Sequence, residues 1–361
     1  MSDENRGPLT YSVVIPTYDR YDILPICIEQ VLRQDPLPRE IILVDATPGW
    51  EEMAARLAEM VRRAAPAVSF RSVPARAKSI PVQRNDGIAL ATADVLFLID
   101  DDSLMYPECA RHVLAVYEAD AEGEVVGVQT GLADGPASKD ARLPERKAMG
   151  GGGWSPKGRL FRWINRHVFM MATDQLFLPY WGYPDRKPRR PLLSGTSVVK
   201  LFQGCRMTFR RDVISKVRFD EDLQRYAAGE DLDGSYRASR HGLLLEVDQA
   251  RIYHHTVATG RIPRGRAAEL SAMNIAFFLR KNAGARLWPL VRVYLWLARR
   301  AGAELMKDLL SRRLALPQWR AILHALAQAW RLWTIRPEDL SEGYARMQQR
   351  ILGRDATTPP G

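Results

Sequence analysis

Asp100, Asp101 and Asp102 close the stretch DVLFLIDDD, in which five apolar residues lead straight into three carboxylates. A strand that ends this way aims several hard oxygen ligands at one place, as Mg²⁺ or Mn²⁺ requires. The plainer reading is a solvated acidic turn that caps the next helix. Three adjacent aspartates repel one another, so a buried strand end would need a positive partner. A second acidic group lies in GEDLDGSYRASRHG (229–242), where Glu230, Asp231 and Asp233 fall at the start of a helical pattern. There they are first-turn acids stabilised by the helix dipole, or a carboxylate able to take a proton.

The elements that must position these groups alternate through the first 131 residues. SVVIP (12–16), EIILVDA (40–46), VSFRSV (68–73), DVLFLID (94–100) and EVVGVQTG (124–131) read as strands. Helical patterns over 22–34, 51–64, 80–91 and 107–119 separate them. Continuous apolar strands between helices predict an α/β fold with a mostly parallel sheet and helices on both faces. Ligands of such sheets bind beyond the carboxyl ends of the strands, which is where the three aspartates fall. From Ala133 to about 197 the pattern dissolves into GGGG (150–153), prolines and scattered aromatics (Trp154, Trp163, Tyr180, Trp181, Tyr183), with helix near 159–172. An excursion of this length suits a lid or an acceptor wall. Regular structure resumes near Val198, with a helix over 229–241, a strand over 243–248, and a helical, basic last hundred residues.

PTYDR after the first strand, Asp45 after the second, QRNDGIALATADVLFLIDDDS, GCRMTFRRDVI, FDEDL, GEDLDGSYRASRHG and YHH follow one another in order. Over roughly residues 10 to 280 this series resembles the family 2 glycosyltransferases, which have a GT-A fold. The resemblance implies a nucleotide-diphosphate sugar donor, a hydroxyl-bearing glycan or lipid-linked acceptor, and a divalent metal, Mg²⁺ or Mn²⁺, at a DXD-type motif. It implies that Pro16 and Tyr18 border the nucleobase, that Asp45 accepts a hydrogen bond from it, and that Arg84 lies near the nucleotide. Asp100 or Asp101 would lie near the ribose, and Asp102 would be the direct metal ligand with Asp100 assisting. His254 is a further metal candidate, with a structural histidine at a strand end as the alternative. Asp231 matches the general base, and Glu230 stands beside it. The chain has Ala46 where relatives often carry a second acid, so no particular nucleobase is implied. One base and no enzyme nucleophile imply inversion at the anomeric carbon. A polysaccharide, glycolipid or cell-envelope glycan is the product class this suggests.

Charge is segregated. Residues 1–156 hold 16 Lys and Arg against 24 Asp and Glu, and 219–260 hold 4 against 8; 157–218 hold 14 against 3, and 261–361 hold 18 against 7. A basic surface that meets something anionic is implied. The C-terminal segment RLWPLVRVYLWLARR (286–300) mixes Trp, Leu and Arg, and five of the nine tryptophans lie beyond residue 285. Two readings fit: helices lying on an anionic membrane surface, or a helical subdomain with solvated arginines. The expected organisation is a catalytic domain over 1–260, with a nucleotide-sugar half about 10–131 and a base-bearing segment about 198–255. A basic, Trp-rich helical region follows over 261–361.

Cys27, Cys109 and Cys205 match no zinc or disulfide spacing, so a reducing compartment is expected. The polar start MSDENRGPLT does not resemble a signal peptide, and no run reaches the ~18 apolar residues of a spanning helix. A cytoplasmic protein, peripheral on the inner face of the membrane, is the expectation. Nucleic acid is not an expected partner, because no recognised binding motif accompanies the basic segments. A nucleotidyltransferase would need a glycine-rich phosphate loop where PTYDR stands. The alternative to an enzyme is a non-catalytic relative that binds a nucleotide sugar or a partner.

Overall fold

The computed structural model describes residues 7–137, 143–144, 156–171, 186–223, 228–255 and 262–353. By contact the chain divides into two units: residues 1–147, 184–220 and 230–260 in one, and 148–183, 221–229 and 261–361 in the other. Trp154, Tyr180, Trp181, Tyr183 and the 150–153 glycines lie outside the described residues.

The first unit is built on β1 (Tyr11–Thr17), β2 (Glu40–Asp45), β3 (Ser69–Pro74), β4 (Val95–Ile99), β5 (Ser103–Met105), β6 (Val125–Leu132), β7 (Thr196–Val198), β8 (Arg206–Arg210) and β9 (Leu243–His254). Its helices are α1 (Leu24–Leu32), α2 (Glu51–Ala64), α3 (Ile80–Leu90), α4 (Cys109–Glu118), α6 (Arg211–Val217) and α7 (Glu230–Ser239). The strands join in the order β3-β2-β1-β4-β8-β6-β9-β5, with β7 also beside β9. The strands β3, β2, β1 and β4 all run parallel, as does the pair β6 and β9. Antiparallel pairing enters through β8 and the three-residue strands β5 and β7.

Strand side chains alternate between faces, and both faces are apolar here. Val13, Ile15, Ile41, Leu43 and Phe97 join a core with Ile28 and Val31 of α1, Leu57 of α2 and Val113 of α4. Val14, Ile42, Val44, Leu96 and Leu98 join a second core with Ile88 of α3 and Ile214 of α6. A layering of helix, sheet and helix follows directly. α3 lies very close to β1: a Cβ placed on Gly87 would meet Val14 Cγ1 at 2.2 Å.

The second unit comprises α5 (Pro156–His167), α8 (Arg264–Ala283), α9 (Leu287–Leu310), α10 (Pro317–Thr334) and α11 (Leu340–Gly353). α8 packs against α9, α10 and α11, and Phe277 stacks on Tyr344 with ring centroids 4.2 Å apart. Both ends of α10 are tied from a distance. Buried Asp308 accepts the Gln318 and Trp319 amides at 2.9 and 3.1 Å. Arg280 donates to the Leu332 and Ile335 carbonyls at 3.1 and 3.0 Å. These contacts satisfy groups that a helix end leaves orphaned. Among the described residues no helix is long and apolar enough to cross a membrane.

Candidate active site

Parallel register brings three strand ends level. Thr17 of β1 sits opposite Asp45 of β2, and β1 pairs with β4 so that Val14 faces Leu98. Gln83, near the start of α3, fastens the ends together by donating to the Thr17 carbonyl at 2.8 Å and the Val44 carbonyl at 2.9 Å. Asp45 is buried. Its Oδ1 accepts the Thr47 amide and its Oδ2 accepts the Tyr21 hydroxyl, both at 2.8 Å. Pro16 lies within β1, which is buried along its whole length. Tyr18 follows half-exposed, and the Lys78 ammonium lies 3.1 Å from its ring centroid.

The three aspartates do not act as one group. Asp101 is buried, accepts the Thr17 hydroxyl at 2.7 Å and pairs with Arg20 at 2.8 Å. Burial pushes its carboxyl up to about 7, against the pull of Arg20 and with the repulsion of Asp102. Asp100 and Asp102 come together across a turn, which the Ser103 amide closes by donating to the Asp100 carbonyl at 3.0 Å. Together with His254 they bring one ligand atom each within 4.8 Å of one another. The contact between His254 and Asp102 is 3.0 Å. It depends on β5, whose Ser103 pairs with His254 of β9. β9 reaches His254 by running past an irregularity after Val247, which is why it outlasts the strand expected over 243–248. Burial pulls the imidazole of His254 down, but hydrogen bonds to Asp102 and Cys205 carry it up to about 11. Arg20 also reaches Asp102, at 3.1 Å. The positive partners that the acidic run demanded are therefore Arg20, Arg84 and His254.

Arg84 connects the two acidic groups. Its side chain is 1% exposed, and it donates to Asp100 at 2.8 Å, to Glu230 at 2.8 Å and to the Gly204 carbonyl at 2.7 Å. Gly204 is a required close approach: a Cβ there would meet Arg84 Nη2 and Glu230 Oε1, each at 3.1 Å. Glu230 is buried. Desolvation and the charge of Asp231 push it up to about 8, against the pull of Arg84. Asp231 is half-exposed and accepts the Gly204 amide at 3.0 Å and the Leu232 amide at 2.9 Å, one on each oxygen. Burial raises its carboxyl too, opposed by Arg84 and by these amides. Asp233 takes no part; it is buried and pairs with Arg237 one turn along α7.

Arg20 and Gln83 join the site although their types and spacing do not mark them in sequence; they stand in PTYDR and QRNDG, and a cation beside a buried acidic run was the signal for Arg20. The donor set of two carboxylates and one imidazole fits a divalent ion.

A family model described as glycosyl transferase family 2 matches residues 12–216. No curated protein sequence matches the chain. Among solved structures, the chain is similar to GalNAc-T7 with UDP, GalNAc and Mn²⁺, at a TM-score of 0.53 and 15% identity over 95% of this chain. It spans 59% of that protein. It is also similar to the mannosyltransferase PcManGT from Pyrobaculum calidifontis, in complex with GDP-Man and Mn²⁺, at a TM-score of 0.49 and 14% identity, covering 96% of this chain and 86% of that one. S. aureus TarS 1–349 gives a TM-score of 0.49 and 12% identity, covering 96% and 92%.

Proposed function

Since the chain belongs to glycosyl transferase family 2, we propose that it transfers a sugar from a nucleotide-diphosphate donor to a hydroxyl acceptor, with inversion at the anomeric carbon. The observation that carries this reading is the Arg84 bridge, which joins Asp100 at the strand end to Glu230 at the head of α7 through two contacts of 2.8 Å. It holds a donor-side carboxylate and a base-side carboxylate in one fixed arrangement.

The base enters beside Pro16 and Tyr18. Asp45 keeps spare lone pairs after its bonds to Tyr21 and Thr47. Asp100, Asp102 and His254 would hold a divalent ion, which when bound offsets the charge that develops on the leaving diphosphate. Arg20 adds a fixed positive group at the same place. Asp231 takes the proton of the attacking hydroxyl, which is too weak an acid to react unaided. Its amide bonds orient it, and its raised pKa makes it a better proton acceptor. Glu230 is the rival base, but its carboxyl is occupied by Arg84. With one base and no enzyme nucleophile, displacement inverts the anomeric centre.

In this reading residues 1–260 carry the chemistry and 261–361 serve attachment. The acceptor is a glycan or lipid-linked hydroxyl, met in the cytoplasm at the inner face of the membrane. Three buried, free cysteines agree with a reducing compartment. The experiment is a thermal-shift screen of nucleoside diphosphates and nucleotide sugars with and without Mn²⁺, followed by NMR of the product anomer. A ligand at ~100 times its dissociation constant adds ~2.7 kcal/mol of apparent stability. A donor that binds without turnover, whatever the acceptor, would favour a non-catalytic relative. A retained anomer would refute the single-base mechanism.

A further inference from the structure

The geometry points to a second function: the exposed face of α9, extended by α5, is a docking surface for an anionic lipid bilayer. α9 has two faces. Val293, Trp296, Leu297 and Ala301 turn inward and are buried. At ~100° per residue, Leu287, Trp288, Leu295, Ala298 and Leu309 fall within an arc of about 140° on the opposite side. Much of that side is exposed around the place where Phe169 covers Gly302: Leu287 is 74% exposed, Trp288 49%, Leu295 54% and Leu309 51%.

The only charges on this arc are Arg292 and Arg299. The Arg292 guanidinium lies 5.3 Å from the Trp288 ring centroid. From Leu287 to Ala303 the helix contains no acid. Glu304 and Asp308 fall outside the arc, and Asp308 is occupied in capping α10.

α5 continues the same chemistry. Its twelve residues, PKGRLFRWINRH, include four Lys and Arg and no acid, and Leu160, Trp163 and the following Val168 are each more than half exposed. The turn after α5 is seated on α9. Phe169 packs where a Cβ on Gly302 would come within 2.6 Å, and Arg299 donates to Met170 Sδ at 3.3 Å. The exposed apolar residues of α5 and of α9 therefore lie on adjoining segments.

Trp and Leu in the acyl boundary with Arg at the headgroups is the arrangement an interfacial helix adopts. A second copy of this chain is a poor occupant, because it would set Arg292 and Arg299 against a like surface. An anionic bilayer offers the opposite charge together with an apolar layer. This surface is argued independently of sugar transfer, and its test involves no turnover.

The test uses the full chain with phosphatidylcholine vesicles, with and without phosphatidylserine, in flotation. Brominated acyl chains serve as quenchers of Trp fluorescence. Binding should require phosphatidylserine, fall with salt and be accompanied by quenching. Arg292→Gln and Arg299→Gln should each weaken it about 5-fold and together about 25-fold. Leu295→Ser should weaken it as well. Arg346→Gln, which removes an exposed arginine elsewhere, on α11, should leave binding unchanged, and unaltered circular dichroism certifies the fold of each variant. No flotation, binding that ignores lipid charge, absence of quenching, equal loss with Arg346→Gln, or a dimer that Leu295→Ser dissolves would each overturn the proposal.

Discussion

Replacing Arg84 by methionine, which has similar length and adapts its shape, removes a buried guanidinium from three acceptors. Asp100 is partly exposed, at 25%, so water replaces much of its lost partner. The Gly204 carbonyl and Glu230 are less fortunate, and two hydrogen bonds of a charged donor are worth ~1.5–3 kcal/mol each. Relief from burying the guanidinium offsets part of that loss, leaving a cost of about 2–4 kcal/mol near neutral pH. The pH dependence is the sharper test. A carboxyl raised from 4.5 to about 8 in the folded state contributes stability that is complete below 4.5 and lost as pH rises through about 8. Without Arg84 the folded pKa rises further. As far as Glu230 decides it, the gap between wild type and Arg84→Met should therefore be flat up to about pH 8. Above it the gap should widen by ~1.4 kcal/mol per pH unit. Urea unfolding at about pH 7 and about pH 9.5 should show some 2 kcal/mol of extra difference at the higher pH. Asp231, which Arg84 also holds down, adds to the widening, and titrations away from Arg84 cancel between the two proteins. A gap that does not widen, or a variant as stable as wild type at both values, refutes the bridge as described.

Asp231→Asn should lower turnover ~10²–10⁴-fold while donor affinity, measured by calorimetry, stays constant. Because an amide can accept from only one of the two backbone N–H groups that Asp231 satisfies, a stability loss of ~1–3 kcal/mol should accompany it. Asp102→Asn and His254→Ala should each weaken Mn²⁺ binding by at least ~10-fold, read from the free-ion signal in electron paramagnetic resonance. Equal binding by both variants would remove these residues from the ion's ligands. Arg20→Gln should cost ~10–100-fold in affinity for nucleoside diphosphates and nothing for nucleosides, as expected for one charged hydrogen-bonding group at the diphosphate.

The elements that place the site were legible because each is local. A run such as VLFLI between turns has one reading, and β1, β2, β3, β4 and β6 stand where the apolar runs lie. β5 was hidden because Ser103–Met105 has no pattern of its own and is a strand only through its pairing with β9. Asp100, Asp101 and Asp102 looked alike in sequence. They lie in a turn after β4, and only the fold shows that Thr17 and Arg20 take up Asp101 while Arg84 takes Asp100. The C-terminal helices gave two readings because α9 is apolar on nearly every side. One side packs in the bundle, and the other is the open arc that includes Trp288 and Leu295.

The 2.2 Å that a Cβ at Gly87 would leave to Val14 has a consequence for how this enzyme can diversify. Gln83 and Arg84 are carried one turn earlier on the same helix, so the seam between α3 and β1 fixes their height above the strand ends. Any larger residue in that seam would lift both side chains together, away from the carbonyls of Thr17 and Val44 and from Asp100. On the proposed reading, changes of donor preference in descendants of this chain would arise in the loops around Tyr18, Thr47 and Lys78, while the seam stays as it is. The molecule is partitioned into a part on which selection can experiment and a part that it can only preserve.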